Sequence, residues 1–183
     1  MRFQNRNIVK IVVALLVIGW VGFIFYMSSQ TAVNSGNMSR SVTLFLIKAS
    51  EKIGVLSQGP SNHAELVHKY ESTVRSLAHM GMYFLLCLIL SLVLKFWGLK
   101  RWAFASFTVC LAISILDELN QMHFEGRNDS GKISSGMEDL FKDVFGTIAA
   151  LIVALIIINL VNWLKAQRKN SMNNDVNKKS QKR

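Results

Sequence analysis

The chain is poor in residues that interrupt helices and in residues that build disulfide or metal frameworks. Its 183 residues include one proline and two cysteines, and turn residues are too scarce for an all-β fold. Cys87 and Cys110 fall inside apolar segments, with neither a disulfide framework nor metal-type spacing, so we expect buried, unreactive thiols. We expect no metal and no cofactor, because the sequence has no histidine-rich metal spacing. It also has no serine or cysteine nucleophile motif, so it points to no catalytic residue.

The chain is 51% hydrophobic, and its apolar residues are concentrated in four blocks that contain almost no charge. Crossing a bilayer takes about 20 residues. The first and last blocks are long enough, and the middle two reach this length if Lys95 snorkels and polar residues at the outer ends face the protein interior. The sequence therefore predicts an all-α integral membrane bundle of about four transmembrane helices, with spans near residues 11–27, 79–97, 102–122 and 144–164.

The net charge of +10 is distributed unevenly between the segments that flank these spans. Residues 1–10, 95–101 and 165–183 carry 13 Lys and Arg and one acidic residue, whereas 28–79 and 117–143 carry 8 Lys and Arg and 10 acidic residues. Positive charge is retained in the cytoplasm. We therefore predict that both termini are cytoplasmic, that the basicity reflects topology and not nucleic-acid binding, and that the first span is retained and not a cleaved signal peptide.

The segments between the spans suggest a single membrane domain, residues 1–165, and a disordered basic cytoplasmic tail, residues 166–183. A polar stretch follows the first span at 28–39. Residues 42–53 then have the apolar periodicity of a short helix on the outer membrane surface. Asn62 followed by Glu65 resembles a capping box, which predicts a new helix leading into the second span.

The third predicted span ends in a cluster of polar residues. On a continuing helix Asp117, Asn120 and Gln121 share one face, with Glu118 beside Gln121. A carboxylate near the membrane is costly, so it is expected to face the bundle interior or a wet cavity and to have a partner. The alternative is that these residues lie just outside the membrane, among headgroups and water.

The beginning of the second span offers a counter-charge at the same outer side. Arg75, His79 and Tyr83 recur every four residues and form one stripe on a helix. The structural alternative is that Arg75 anchors to lipid phosphate and that Tyr83 is an interfacial aromatic residue.

Further charged residues precede the fourth span. Arg127 lies in a polar loop, and Asp139 and Asp143 follow one helical turn apart. Acidic residues in a first helical turn also favour the helix dipole, which is a purely structural explanation for them.

Three motifs, taken in order, give the sequence a family resemblance. The first is a W…F.FY.SSQ segment that ends in Ser28, Ser29 and Gln30, with Ser35 and Ser39 following. The second is the stripe described above. The third is an Asp-Glu-x-x-Gln…Gly-Arg…Asp-x-x-x-Asp-x-x-Gly signature, formed by Asp117, Glu118, Gln121, Gly126, Arg127, Asp139, Asp143 and Gly146. Over roughly residues 15–165 the chain resembles the VanZ-like family of bacterial membrane proteins. It departs from the family pattern at Asn120, Ser76 and Glu125.

The resemblance implies location in the bacterial cytoplasmic membrane and an association with low-level teicoplanin-type resistance. It favours a protein that binds a lipid-linked envelope precursor, or a glycopeptide, at the outer leaflet. The ligand-binding candidates are Ser28, Ser29, Gln30, Arg75, His79, Tyr83, Asp117, Glu118, Gln121, Arg127, Asp139 and Asp143. Two alternatives stay open, a membrane-embedded hydrolase or transferase acting on a lipid-linked precursor and a non-catalytic envelope scaffold. The sequence leaves homo-oligomerisation open.

Overall fold

A computed structural model describes residues 2–55, 62–121 and 133–180, which form five helices and contain no strand. The helices are α1 (Arg2–Ser28), α2 (Ala32–Lys52), α3 (His63–Phe96), α4 (Trp102–Gln121) and α5 (Ile133–Ser180). All except α2 contain a stretch long and apolar enough to cross a membrane. The predicted all-α architecture with four spans is confirmed.

The central helix of the bundle is α3, which packs against each of the other four helices. The core around it contains Ile24, Tyr83, Leu86, Cys87, Cys110 and Ala150. On α1, the Trp20 indole Nε1 donates a hydrogen bond to the Met82 carbonyl oxygen of α3 at 3.1 Å. Large apolar side chains cover much of the outer surface, as is appropriate for helices surrounded by lipid and not by water.

Close packing of α3 against α5 depends on small residues of α5. Gly146, Ala150 and Ala154 are buried at helical spacing. A Cβ atom at Gly146 would lie 2.3 Å from the Met80 carbonyl oxygen, so the backbones approach too closely for any side chain at this position. Small residues commonly allow such approaches between transmembrane helices.

The helix α2 is longer than the sequence predicted. It begins at Ala32 and not near residue 42, because Thr31 caps its N-terminus by accepting a hydrogen bond from the Asn34 backbone N–H at 3.3 Å. The predicted polar stretch at 28–39 is thus largely helical. The helix ends at Lys52, followed by Gly54 at φ +75°, a conformation that glycine adopts without strain.

One ion pair and one histidine–carboxylate contact hold α2 antiparallel to the first half of α3. Arg40 Nε lies 2.8 Å from Glu71 Oε2, and His63 Nε2 lies 2.8 Å from Glu51 Oε1. The first residue of α3 is His63, so the predicted helix start is close. Asn62 occupies the N-cap position, but its side chain makes no capping hydrogen bond.

The chain beyond residue 165 continues as helix through Ser180, where the sequence predicted a disordered tail. Residues 165–169 are Lys, Ala, Gln, Arg and Lys, which are good helix formers, whereas the Asn, Ser and Asp residues that follow are not. Extending an existing helix avoids the cost of nucleating a new one. This second effect favours the continuation over the separate disordered segment that the polar composition suggested.

Candidate functional site

A cluster of polar side chains lies inside the bundle where α1, α3, α4 and α5 meet. Asp117 is 1% exposed and Asp143 is 5% exposed, and Tyr83 is completely buried. Gln121 and His79 are also buried beside them. The prediction that the polar residues of the third span face the bundle interior agrees with these positions, and the alternative of headgroup exposure does not fit Asp117 or Gln121.

Hydrogen bonds join the cluster across helices. Ser114 Oγ of α4 donates to Asp143 Oδ2 of α5 at 2.6 Å. Gln121 Nε2 donates to Asp117 Oδ2 at 3.0 Å and lies 3.5 Å from Ser28 Oγ of α1. Polar contacts of this kind position helices in a membrane, where water is not available to satisfy the groups.

The histidine of the α3 stripe lies beside the cluster. His79 Nδ1 is 4.0 Å from Asp143 Oδ1. Tyr83, one turn further along α3, lies beside Asp117, Asp143 and Ser114, although within the described residues its hydroxyl makes no well-formed hydrogen bond. The structure therefore brings together five sequence-predicted candidates, His79, Tyr83, Asp117, Gln121 and Asp143.

Arg75 does not provide the counter-charge that the sequence predicted for these carboxylates. Its Nε donates a long hydrogen bond of 3.4 Å to Ser39 Oγ of α2, and its Nη2 is 4.0 Å from Glu71 Oε1. The stripe is continuous along α3, but α2 packs beside Arg75, and the guanidinium contacts α2 and the preceding turn of α3. Sequence periodicity could not reveal this, because it says nothing about which neighbour covers each turn.

A separate pocket of about 130 Å³ opens between the end of α1, α2 and α3. Its polar lining consists of Ser28, Gln30, Ser35, Ser39, Arg75 and His79. Its apolar lining consists of Met27, Met38, Val42, Val74, Ala78 and Met82. Ser28 and His79 belong to both the pocket and the buried cluster, so they form the wall between the two.

The remaining candidates lie at the margin of the site. Ser29 Oγ donates to the Phe25 carbonyl oxygen at 2.7 Å and accepts a hydrogen bond from Asn120 Nδ2 at 3.1 Å. Gln30 Nε2 donates to the Tyr26 carbonyl oxygen at 3.3 Å. The bond from Asn120 joins α4 to the end of α1 beside the pocket.

Among the acidic candidates, Glu118 is half-buried on α4. Asp139 pairs with Lys142 at 2.8 Å, and Lys142 also reaches Glu138 at 3.0 Å, so Asp139 belongs to a surface network and not to the buried cluster. Arg127 lies outside the described residues.

The ligand-binding candidates from the sequence did not include two serines that hold the charged candidates. Ser114 binds Asp143, and Ser39 binds Arg75. A signal was present for both, since small polar residues recur every four positions in Ser106–Cys110–Ser114 and in Ser35–Ser39–Thr43. Such a stripe in an apolar or amphipathic helix indicates a face that packs closely against another helix.

The helices and the buried cluster define a multi-pass helical membrane protein with a polar interior and an amphipathic pocket. The chain belongs to the VanZ/LLP1 family, whose model matches residues 13–159. The expected family is confirmed, and the match includes every helix that lines the cluster and the pocket. No curated protein and no solved structure matches the chain.

Proposed function

We propose that this protein binds an anionic, lipid-tailed molecule of the bacterial cell envelope at the outer leaflet of the cytoplasmic membrane. The pocket beside Arg75 is the proposed site. This location follows from the positive-inside prediction, which assigns the α2 side of the bundle to the outer face. The observation that carries the proposal is the availability of the Arg75 guanidinium.

Arg75 has donors to spare because its acidic neighbour is occupied elsewhere. Glu71 pairs with Arg40 at 2.8 Å and is only within 4.0 Å of Arg75. Within the described residues, the single side-chain hydrogen bond of Arg75 is the 3.4 Å contact with Ser39. A guanidinium has five N–H donors in a planar fork that matches phosphate and carboxylate oxygens. The arrangement supports anion binding in the pocket.

The lining of the pocket supports a ligand with both a polar and an apolar part. The lining includes hydroxyl, amide and charged groups together with methionine, valine and alanine side chains. Methionine side chains adapt to apolar ligands of varied shape. We therefore assign the charged headgroup of the ligand to Arg75 and the first part of its hydrocarbon tail to the apolar side chains.

The size of the pocket argues against a complete glycopeptide as the occupant. Its volume is about 130 Å³, whereas sites for drug-sized ligands have about 300–1,000 Å³. If the protein confers teicoplanin-type resistance, the pocket favours a route through a lipid-linked envelope precursor and not through capture of the antibiotic.

The proposal is tested with farnesyl phosphate, an anionic prenyl lipid, and with farnesol, the same tail without the charge. We expect the purified full-length protein to bind farnesyl phosphate more tightly than farnesol, measured by quenching of tryptophan fluorescence in detergent micelles. Arg75→Ala should remove this preference. Arg101→Ala, which removes an equal charge next to α4, should keep it. Equal binding of both lipids by the unmodified protein would contradict the proposal.

The association with resistance has its own experiment. A sensitive Gram-positive host would express the protein, Arg75→Ala or Arg101→Ala at matched membrane levels, and its susceptibility to teicoplanin and vancomycin would be measured. We expect protection from teicoplanin by the protein and by Arg101→Ala, and its loss in Arg75→Ala. Absence of protection from the correctly inserted protein would separate this family member from glycopeptide resistance.

One observation favours a hydrolase or transferase as the second candidate. His79 lines the pocket and also faces Asp143 across 4.0 Å, and a histidine oriented by a carboxylate can transfer protons. Release of inorganic phosphate from farnesyl diphosphate, abolished in His79→Gln while binding persists, would support this candidate over binding alone. No release by the unmodified protein would contradict it for this substrate.

A further inference from the structure

His79 is a titratable side chain that lies between the pocket and the buried polar cluster. It lines the pocket together with Arg75, Ser28 and Ser39, and it is 7% exposed. On the interior side its Nδ1 atom is 4.0 Å from Asp143 Oδ1. This nitrogen is completely enclosed, so the exposed part of the imidazole lies away from it. One edge of the ring therefore lies at the carboxylate, and another borders the pocket.

Asp143 is held in place on the interior side of the imidazole. Its Oδ2 accepts a hydrogen bond from Ser114 Oγ at 2.6 Å, and among the described residues its Oδ1 accepts none. The oxygen nearer to His79 is therefore the one with hydrogen-bonding capacity left. A shift of about 1 Å would bring it to the hydrogen-bonding distance of about 2.9 Å. A carboxylate beside an imidazole orients the ring and stabilises its positively charged form.

The other charged groups around this histidine come from α3, α4 and α5. Arg75 precedes it by one turn on α3 and lines the same pocket. Further titratable groups lie close enough to Asp143 to influence it, and they belong to Tyr83, Asp117, Glu118 and Asp139. The polar side chains that line the pocket from outside α3 are uncharged. Among the described residues, His79 therefore has acidic groups on its interior side and the Arg75 guanidinium beside it in the pocket.

An anion in the pocket would lie beside two basic groups. Arg75 and His79 are one turn apart on α3, a separation of about 6 Å along the helix axis, and both line the pocket. Without an anion, the guanidinium and a protonated imidazole repel each other. With an anion between them, both are attracted to it. Protonation of the imidazole therefore favours anion binding, and anion binding favours protonation to the same extent.

We propose that His79 is a second anion-binding group of the pocket, which contacts the headgroup of the ligand beside Arg75 when its imidazole is protonated. Asp143 is its positioning residue on the interior side. This inference rests on the proposed function, since it concerns the same pocket. Histidine changes its charge between about pH 5 and about pH 8. As the pH falls through this range the imidazole gains a positive charge, so binding of an anionic lipid strengthens, and as the pH rises this contribution is lost.

The test requires a ligand whose own charge does not change over this range. The methyl ester of farnesyl phosphate keeps a single negative charge, because it has no second acidic proton, and farnesol is the uncharged reference. Binding to the purified full-length protein is measured by tryptophan quenching in micelles at about pH 5 and about pH 8. We expect the ester to bind about tenfold more tightly at the acidic pH, equivalent to about 1.4 kcal/mol, and farnesol to bind equally at both. Equal affinity for the ester at both pH values would overturn the inference.

Variants identify the group that titrates. His79→Gln should bind the ester equally at both pH values, with the affinity of the unmodified protein at the alkaline one, because glutamine stays uncharged. Asp143→Asn should reduce the acidic gain, because an amide stabilises an imidazolium less than a carboxylate does. The matched controls are His68→Gln, at an exposed histidine of α3, and Glu138→Gln, at an exposed carboxylate of α5, and both should keep the gain. The full gain in His79→Gln would overturn the inference, and the full gain in Asp143→Asn would overturn the role of Asp143.

A measurement on the unmodified protein keeps the test decisive if a variant does not fold. Calorimetric titration in two buffers of different ionisation enthalpy, at a pH where the affinity is changing, measures the protons taken up on binding. We expect proton uptake with the ester and none with farnesol, and absence of uptake with the ester would overturn the inference. Failure of the proposed function has a different result, since Arg75→Ala would then bind the ester as tightly as the unmodified protein at both pH values. A preference that depends on Arg75 but not on pH would contradict this inference alone.

Discussion

Replacing Gly146 with alanine is expected to separate α3 from α5 and to destabilise the protein. The added Cβ would lie 2.3 Å from the Met80 carbonyl oxygen and 3.1 Å from the Met80 carbonyl carbon. Contacts between carbon and oxygen are normally about 3.3–3.6 Å long. The two helices must therefore move apart by about 1 Å, and no side-chain rotation can relieve the clash, because the opposing atoms belong to the backbone.

The magnitude follows from two opposing effects. Overpacking a well-packed interior costs about 1–3 kcal/mol, and replacing glycine by alanine within a helix recovers up to about 1 kcal/mol. We expect a net loss of about 1–2 kcal/mol in the free energy of unfolding. Asp143 lies one turn before Gly146 on α5, so the displacement should also lengthen its 2.6 Å hydrogen bond with Ser114.

The assay is reversible unfolding of the purified protein in mixed micelles with an increasing fraction of SDS, monitored by circular dichroism. Gly81→Ala is the matched control, because Gly81 lies next to Met80 and a Cβ there would contact nothing within 4 Å. We expect Gly81→Ala to unfold at the same SDS fraction as the unmodified protein or at a higher one, and Gly146→Ala at a lower one. Equal stability of the two variants would refute the close approach of α3 and α5.

Three smaller predictions concern the charged groups. Ser114→Ala should lower the free energy of unfolding by about 1 kcal/mol in the same SDS assay. The loss should exceed that of Ser106→Ala, because among the described residues the Ser106 hydroxyl bonds only to the Trp102 carbonyl oxygen of its own helix. Arg40→Ala should weaken farnesyl phosphate binding up to about fivefold by freeing Glu71 to pair with Arg75, and adding Glu71→Gln should restore it. Raising the salt concentration should weaken binding of farnesyl phosphate but not of farnesol, because Arg75 is partly exposed.

The sequence predicted the parts of the fold that depend on composition along the chain. Long apolar blocks require helices in a membrane, because every backbone polar group must be satisfied within the segment. The boundaries depended on details that composition does not reveal. The cap at Thr31 starts α2 ten residues earlier than its apolar periodicity suggested, and α5 continues well past the end of its apolar block.

The site was predictable only where a charge conflicted with its surroundings. Asp117 directly follows an apolar span, so the cost of a charge near lipid made its burial one of the two readings that the sequence left open. The neighbours of a charge were not predictable in the same way. Arg75 was expected to face the carboxylates, but α2 pairs Arg40 with Glu71 and leaves Arg75 facing the pocket. Which helix packs against which turn is a property of the tertiary structure, and the spacing of residues along one sequence does not reveal it.

The most direct test of headgroup binding by Arg75 is the identity of the lipid that the protein retains from its own membrane. Native mass spectrometry of the protein released from mild detergent would identify adducts on the unmodified protein, on Arg75→Ala and on Arg101→Ala. Headgroup binding by Arg75 predicts phosphate-bearing lipids on the unmodified protein and on Arg101→Ala, and their loss from Arg75→Ala. The same anionic lipids on Arg75→Ala, or only neutral lipids on the unmodified protein, would contradict it.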